Sequence, residues 1–121
     1  MKKTLFIAGL LSSSFSYGAD WFLFSTSGKN TKEYTEHYYD KSSLKKTSKG
    51  VFSLWQRAYE VENKFRADMR IVVNCENRTT ELKEVFYYHD NIFLNNKKYT
   101  DNVSTPPPDT IGYGIITILC N

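Results

Sequence analysis

Hydrophobic and polar residues alternate along the middle of the chain, most regularly across residues 65–76. The odd-numbered positions of this segment are apolar as far as Cys75, whereas most of the even-numbered positions are charged or polar. A period of two residues is typical of a β-strand with one buried face and one face in water. The pattern therefore predicts a strand whose buried side carries Cys75.

Five other segments have the aromatic and β-branched content of strands, at residues 21–25, 34–40, 51–61, 79–88 and 92–94. The connections are short and polar, which favours antiparallel neighbours arranged as a meander. We expect residues 45–50 to form a solvated hairpin tip. Residues 95–105 are polar and are predicted to form a loop before the three prolines at 106–108.

The last segment, residues 109–121, supports two predictions equally well. Its Ile, Thr, Tyr and Gly content favours a strand. Pro108 is suited to a helix start, and Asp109 and Thr110 are suited to cap or charge a first turn. A helix would align four apolar residues in one stripe: Ile111, Ile115, Ile118 and Leu119. It would also bring Cys120 towards the sheet face that carries Cys75.

The first residues have the layout of a secretory signal peptide. Lys2 and Lys3 precede a short apolar run at residues 4–11, and small residues follow that run. The run is too short to span a bilayer, which requires about 20 residues. We therefore predict an exported protein without a transmembrane segment in its mature chain.

The spacing of small residues indicates where the signal peptide ends. Ser16 and Gly18 give the small-x-small pattern that precedes a cleavage site. Residues 1–18 are thus the predicted signal peptide and residues 19–121 the predicted mature domain. Cleavage after Ala19, or an uncleaved signal anchor, are the alternatives. No cysteine lies near this junction, so the chain lacks the acceptor of a bacterial lipoprotein.

Length and charge exclude several classes of protein. A chain of 121 residues has room for one domain, which excludes a multidomain enzyme or a polytopic membrane protein. The formal net charge is +3, but removal of Lys2 and Lys3 leaves 14 basic and 13 acidic residues, a net charge of +1. A nearly neutral domain is a poor nucleic-acid binder because phosphate neutralisation dominates affinity. We expect no nucleic-acid partner.

The two cysteines, Cys75 and Cys120, both lie in the predicted mature domain. An even number of cysteines in an exported protein favours a disulfide. This one would close a loop of about 45 residues and contribute about 4 kcal/mol. Free thiols, or a bond between two chains, are the alternatives. The cysteines and histidines do not fall at metal-ligand spacings, so we expect no metal and no cofactor.

His37 and His89 are the only histidines in the chain. Two histidines are able to act as acid and base in a small secreted hydrolase. However, the sequence has neither a nucleophile elbow nor a phosphate-binding loop. We therefore expect a protein that is not an enzyme, and the hydrolase remains a remote alternative.

Five basic residues around the regular strand form a candidate ligand-binding site. Arg66 and Arg70 share the solvated positions of that strand, and the other three follow or precede them closely: Lys64, Arg78 and Lys83. A basic stripe attracts acidic ligands by steering and ion pairing. Acidic residues are interspersed among them, which supports the alternative of ordinary cross-strand ion pairs on a solvated sheet.

Two pairs of adjacent tyrosines, Tyr38–Tyr39 and Tyr87–Tyr88, fall within predicted strands. Successive side chains of a strand point to opposite faces. One tyrosine of each pair is therefore expected to face the core and the other to face outward. Tyrosine is favoured at interfaces, so the outward pair is a second candidate contact surface, with half-buried packing as the alternative.

Several motifs together resemble the surface-adhesin protein E family of Gram-negative bacteria. They are the run at residues 73–77 followed by Phe86-Tyr87-Tyr88, the segment Pro108-Asp109-Thr110 followed by Cys120, the tyrosine-rich stretch 38–44, and the early Trp21. In order and spacing these motifs cover nearly the whole predicted mature domain.

The resemblance implies an α+β fold, with a single antiparallel sheet of about six strands and a C-terminal helix packed on one face. It implies a disulfide between a central strand and that helix, and it favours helix over strand for residues 109–121. Members of the family are exported, and the namesake is an adhesin for host matrix and serum proteins whose basic strand pair near the first cysteine is associated with binding. Many relatives are exported proteins of no known role.

These observations predict an exported, non-catalytic binding protein of the periplasm or cell surface, possessing a protein partner. The partner is either a host matrix or serum protein or, as the alternative, a protein of the bacterial envelope. The sequence leaves the oligomeric state open.

Overall fold

A computed structural model describes residues 19–121 as seven strands and a C-terminal helix. The predicted signal peptide, residues 1–18, lies outside the described residues. The strands are β1 (Trp21–Ser27), β2 (Thr35–Asp40), β3 (Lys45–Ser48), β4 (Val51–Glu60), β5 (Phe65–Asn74), β6 (Thr79–His89) and β7 (Ile92–Ser104). A 3-10 turn occupies Lys41–Ser43, and the helix α1 spans Ile111–Cys120.

All seven strands belong to one antiparallel sheet. The order is β1-β2-β4-β5-β6-β7. The short strand β3 pairs with the beginning of β4, and β2 pairs with the rest of β4. The prediction of an antiparallel sheet with one C-terminal helix is confirmed. Neither α1 nor the 3-10 turn, the helical elements among residues 19–121, is long and apolar enough to cross a membrane.

The prediction for the segment after residue 91 was wrong in extent. We expected a strand only at residues 92–94 and a loop at 95–105, but β7 continues to Ser104 and pairs with β6 along most of its length. As an edge strand, β7 is almost entirely exposed, so it has no buried face to produce an apolar alternation. The predicted tip at 45–50 likewise contains the short exposed strand β3.

One face of the sheet, here called the helix face, is covered by α1. Ile115 and Ile116 are fully buried against it, and they contact a cluster formed by four strand residues: Tyr39, Leu54, Ile71 and Val73. The predicted stripe of α1 was wrong in one position. Ile118 is 40% exposed, and the neighbouring Ile116 is buried in its place.

The start of α1 follows the capping residues predicted from the sequence. The Thr110 hydroxyl accepts a hydrogen bond from the Tyr113 backbone N–H at 3.2 Å, as expected for an N-cap. Gly112 of α1 allows close packing, because a Cβ atom at this position would lie 3.1 Å from the Pro106 side chain. Close packing thus explains one of the two glycines that disfavour a helix by propensity.

Cys75 and Cys120 form the predicted disulfide, with a Cα–Cα distance of 5.4 Å. Cys75 directly follows β5, and Cys120 is the last residue of α1. The bond therefore ties the end of the helix to a central strand.

The first residues of the described chain are anchored by Asp40, at the end of β2. Its Oδ1 atom accepts hydrogen bonds from the backbone N–H groups of Asp20, at 2.8 Å, and Ser42, at 3.0 Å. The Lys41 N–H donates in turn to the Asp20 carbonyl at 3.0 Å. These bonds fix the position of Trp21, which begins β1.

Candidate binding surface on the open face

The face of the sheet opposite α1 is here called the open face. The register of β4 and β5 brings Arg57 opposite Asp68 and Tyr59 opposite Arg66. The register of β5 and β6 brings Tyr88 beside Arg66. Charged and aromatic side chains thus lie in neighbouring rows across the central strands of this face.

An ion-pair cluster lies at the centre of the open face. Arg57 donates two hydrogen bonds to Asp68, from Nε to Oδ1 at 2.8 Å and from Nη2 to Oδ2 at 3.0 Å. Arg66 adds a longer contact, with its Nε atom 3.5 Å from Oδ2 of Asp68. All three side chains are largely buried, and a bidentate pair of this kind is more rigid than an exposed one.

Each of the two arginines, Arg57 and Arg66, also stacks over an aromatic ring. The guanidinium carbon of Arg57 lies 4.0 Å from the ring centre of Trp21, and that of Arg66 lies 4.0 Å from the ring centre of Tyr88. Such cation–π contacts contribute about 0.5–1 kcal/mol when exposed and more when desolvated. Each arginine is therefore fixed by a carboxylate and by a ring.

An aromatic cleft of about 280 Å³ opens beside this cluster. It is lined by five residues: Trp21, Trp55, Asp68, Phe86 and Tyr88. Trp55 and Phe86 contact each other with ring centres 5.8 Å apart, and the ring of Phe93 in β7 contacts Phe86 at 6.3 Å. The cleft is mainly apolar, with a single carboxylate that is already paired.

A second cavity, the arginine pocket, has a volume of about 230 Å³. It is lined by Tyr38, Arg57, Tyr59, Arg66 and Asn91. The Tyr38 hydroxyl donates to Glu36 at 2.6 Å, and this hydrogen bond to a carboxylate raises the pKa of Tyr38 to about 12. Asn91 accepts a hydrogen bond from Nη1 of Arg66 at 2.8 Å. Arg57 and Arg66 line this pocket and also contact rings of the aromatic cleft, so the two cavities are neighbours.

Of the five basic residues predicted to bind a ligand, Arg66 and Arg70 share the open face. Arg66 belongs to the arginine pocket, whereas Nη2 of Arg70 lies 3.7 Å from Glu84 and its side chain is 46% exposed. Arg70 thus forms an ordinary cross-strand ion pair with Glu84 on a solvated surface.

The other three predicted basic residues do not line the arginine pocket. Lys64 lies in the turn between β4 and β5, and Arg78 lies in the turn at the other end of β5. The guanidinium of Arg78 is 5.7 Å from the ring centre of Tyr113 in α1. Lys83 pairs with Glu81 at 3.2 Å. The structure therefore does not bring the five residues together into one stripe.

The tyrosine pairs divide between the two faces, as expected. Tyr38 lines the arginine pocket and Tyr88 lines the aromatic cleft, both on the open face. Tyr39 is buried in the core, and Tyr87 stacks on Phe65 with ring centres 6.0 Å apart. The outward tyrosines thus join the site that the arginines form.

Sequence reasoning missed Arg57 and the two tryptophans as members of the site. The odd-numbered positions of β4 carry Trp55, Arg57 and Tyr59 in succession, which is the signal that was available. Their significance depends on the register between β4 and β5, because the register decides that Arg57 meets Asp68.

The two histidines are not brought together. His37 is buried in β2, where its Nε2 atom is 3.0 Å from the Ser27 hydroxyl, and burial lowers the pKa of His37. His89 is exposed at the end of β6. With β4 and β5 between them, the backbones of β2 and β6 are three strand spacings apart, roughly 14 Å. This distance does not allow the two histidines to act as an acid–base pair on one bond.

Within residues 19–121, no three or more His, Cys, Asp or Glu side chains are grouped to hold a metal ion. The chain matches no family model, no curated protein and no solved structure.

Proposed function

We propose that this chain is an exported, non-catalytic binding protein that holds a protein partner against the open face of its sheet. The observation that carries the proposal is the aromatic cleft lying next to two arginines on one sheet face. Tryptophan, tyrosine and arginine are the residues that contribute most to protein interfaces. Their combination in two adjoining cavities is typical of a recognition surface.

The rigidity of the surface supports the same function. Arg57 and Arg66 are already fixed by Asp68 and by the rings of Trp21 and Tyr88. Side chains that are ordered before binding lose little conformational entropy when a partner arrives. The open face is therefore prepared for association.

Export is supported by the disulfide and by the predicted signal peptide. A structural disulfide such as Cys75–Cys120 is stable in an oxidising compartment, for example the periplasm or the cell surface. The resemblance to the surface-adhesin protein E family points to a host matrix or serum protein as the partner. A protein of the bacterial envelope is the second candidate, and it would use the same surface.

A binding experiment with matched variants tests this proposal. The domain 19–121 is immobilised and exposed separately to serum, to matrix proteins and to a solubilised envelope extract. A partner captured by the wild type should be lost with Trp55→Ala, which removes one wall of the aromatic cleft. Leu94→Ala is the control, because Leu94 is 53% exposed on β7 and does not line the cleft.

The source of the captured protein decides between an adhesin and an envelope accessory protein. Melting curves of both variants must first show a folded domain. A partner that binds Trp55→Ala as well as it binds the wild type would refute the open face as the binding surface. Activity on RNA that depends on His37 or His89 would instead support the remote hydrolase.

A further inference from the structure

The arginine pocket has more hydrogen-bond donors than acceptors. Arg57 uses Nε and Nη2 on Asp68, so its Nη1 group is without a partner among residues 19–121. Arg66 uses Nη1 on Asn91, which leaves its Nη2 group free, and its buried Nε makes no hydrogen bond within this part of the chain. Both guanidinium groups therefore retain donors at the pocket.

The remaining lining groups add donors as well. The Tyr59 hydroxyl makes no hydrogen bond in the described part of the chain. Asn91 accepts from Arg66 through Oδ1, so its amide NH₂ group remains available as a donor. The hydroxyl proton of Tyr38 is already committed to Glu36, which does not line the pocket.

The carboxylate that faces both arginines, that of Asp68, is already occupied. Both oxygens of Asp68 accept hydrogen bonds from Arg57, and one of them also faces Arg66. Two guanidinium charges thus share a single carboxylate, and the cluster formed by Arg57, Arg66 and Asp68 keeps a net charge of +1. A ligand group that supplies acceptors and one negative charge would complete it.

The aromatic cleft indicates which kind of ligand side chain lies beside the negatively charged group in the arginine pocket. Arg57 and Arg66 line the arginine pocket, and they stack on Trp21 and Tyr88, which line the aromatic cleft. The two cavities are therefore adjacent, and one short segment of a partner is able to place a side chain in each.

We propose that the arginine pocket binds a carboxylate side chain of the partner protein, and that the aromatic cleft takes an aromatic or apolar side chain from the same segment of that partner. The inference rests on the proposed function and specifies the chemistry of the partner. A carboxylate accepts two N–H groups at once, which matches the free groups of Arg57 and Arg66.

Two matched sets of capped synthetic peptides provide the first test. The Glu peptides carry Glu and Trp one, two or three positions apart, and the Gln peptides have Gln in place of Glu. Each is titrated into ¹⁵N-labelled domain 19–121, and the arginine Nε and tryptophan indole signals are followed. We expect the Glu peptide to bind about tenfold more tightly than the Gln peptide of the same spacing, because a charge-assisted hydrogen bond is roughly twice as strong as a neutral one.

Asn91→Asp is the informative variant, because it puts a carboxylate into the arginine pocket and keeps the hydrogen-bond acceptor for Arg66. It should weaken the Glu peptide about tenfold and the Gln peptide much less, because only the Glu peptide brings a second negative charge to the pocket. Asn95→Asp is the control, since it makes the same charge change on β7 at an exposed residue that does not line the pocket. It should affect neither peptide.

Three results would overturn the carboxylate inference. They are equal affinity for the Glu and Gln peptides, equal effects of Asn91→Asp and Asn95→Asp, and a response to inorganic sulfate or a heparin oligosaccharide without any response to the peptides. A captured partner that is lost with Trp55→Ala but retained with Asn91→Asp would also overturn it. That last result would leave the proposed function intact, so the two failures are distinguishable.

Discussion

The disulfide allows a quantitative prediction about stability. Replacing both cysteines, as Cys75→Ser with Cys120→Ser, removes the bond without leaving an unpaired thiol. Its two ends are 45 residues apart in sequence. The chain-entropy model gives about 4 kcal/mol for a loop of this length. A small domain typically has only about 5–15 kcal/mol of total stability, so the variant should be only marginally folded.

The packing of α1 limits the damage that this change causes. Ile115 and Ile116 are fully buried, and the burial of each contributes about 1.5–3 kcal/mol. The helix should therefore remain docked in the folded variant, although less securely. The predicted change in the free energy of unfolding is about 4 kcal/mol, because the apolar contacts persist.

Urea denaturation followed by tryptophan fluorescence measures this change, since Trp21 and Trp55 both lie in the sheet. With a denaturant slope of about 2 kcal/mol per molar urea, the midpoint should fall by about 2 M. The wild type treated with a reductant should unfold near the same midpoint as the double variant. A midpoint within about 0.5 M of the oxidised wild type, for either sample, would refute the reasoning.

Two further predictions concern the helix and a buried histidine. Gly114→Ala should raise the free energy of unfolding by about 1 kcal/mol in the same assay, because the new Cβ would meet Phe24 at an ordinary contact distance of 3.8 Å. Gly112→Ala should bring no such gain, since its Cβ would lie 3.1 Å from the Pro106 side chain, and equal gains for the two variants would contradict this packing. Burial lowers the pKa of His37 from 6.5, so the unfolded chain binds more protons than the folded chain. The free energy of unfolding should therefore be unaffected by His37 above the unfolded pKa and should fall as the pH drops below it. His37→Gln should flatten that pH dependence and His89→Gln should not, and an unchanged slope in His37→Gln would show that another group is responsible.

The elements that the sequence predicted well are those whose side chains report burial directly. Apolar and polar residues alternate along β5 because Ile71 and Val73 face the core. The sequence therefore predicted which side of β5 is buried and that Cys75 lies on that side. The sequence did not predict β7 beyond residue 94. An exposed edge strand is held by backbone hydrogen bonds to its neighbour, here β6, and these leave no pattern in the side chains. The residues alone left helix and strand open for residues 109–121, because the close approach of Gly112 to Pro106 is a tertiary contact. The family resemblance favoured the helix, and the structure confirms it.

The binding surface was predictable only in part, and for a related reason. The outward direction of Arg66 and Tyr88 follows from strand periodicity alone. The pairing of Arg57 with Asp68 depends on the register of two strands, and the stacking of Trp21 on Arg57 depends on the order of three. A single sequence specifies which face a side chain occupies more directly than it specifies which neighbour it meets.

The location of α1 has a consequence for the order of folding. A chain synthesised from its N-terminus completes the sheet before Ile115 and Ile116 exist to cover it. If the chain is exported from its N-terminus, Cys75 reaches the oxidising compartment before Cys120, which lies 45 residues further along the chain. During that interval the thiol of Cys75 has no intramolecular partner, and the Cys75 of another incompletely exported copy is equally available to it. The fraction of correctly bonded molecules should therefore fall as more copies are exported at the same time.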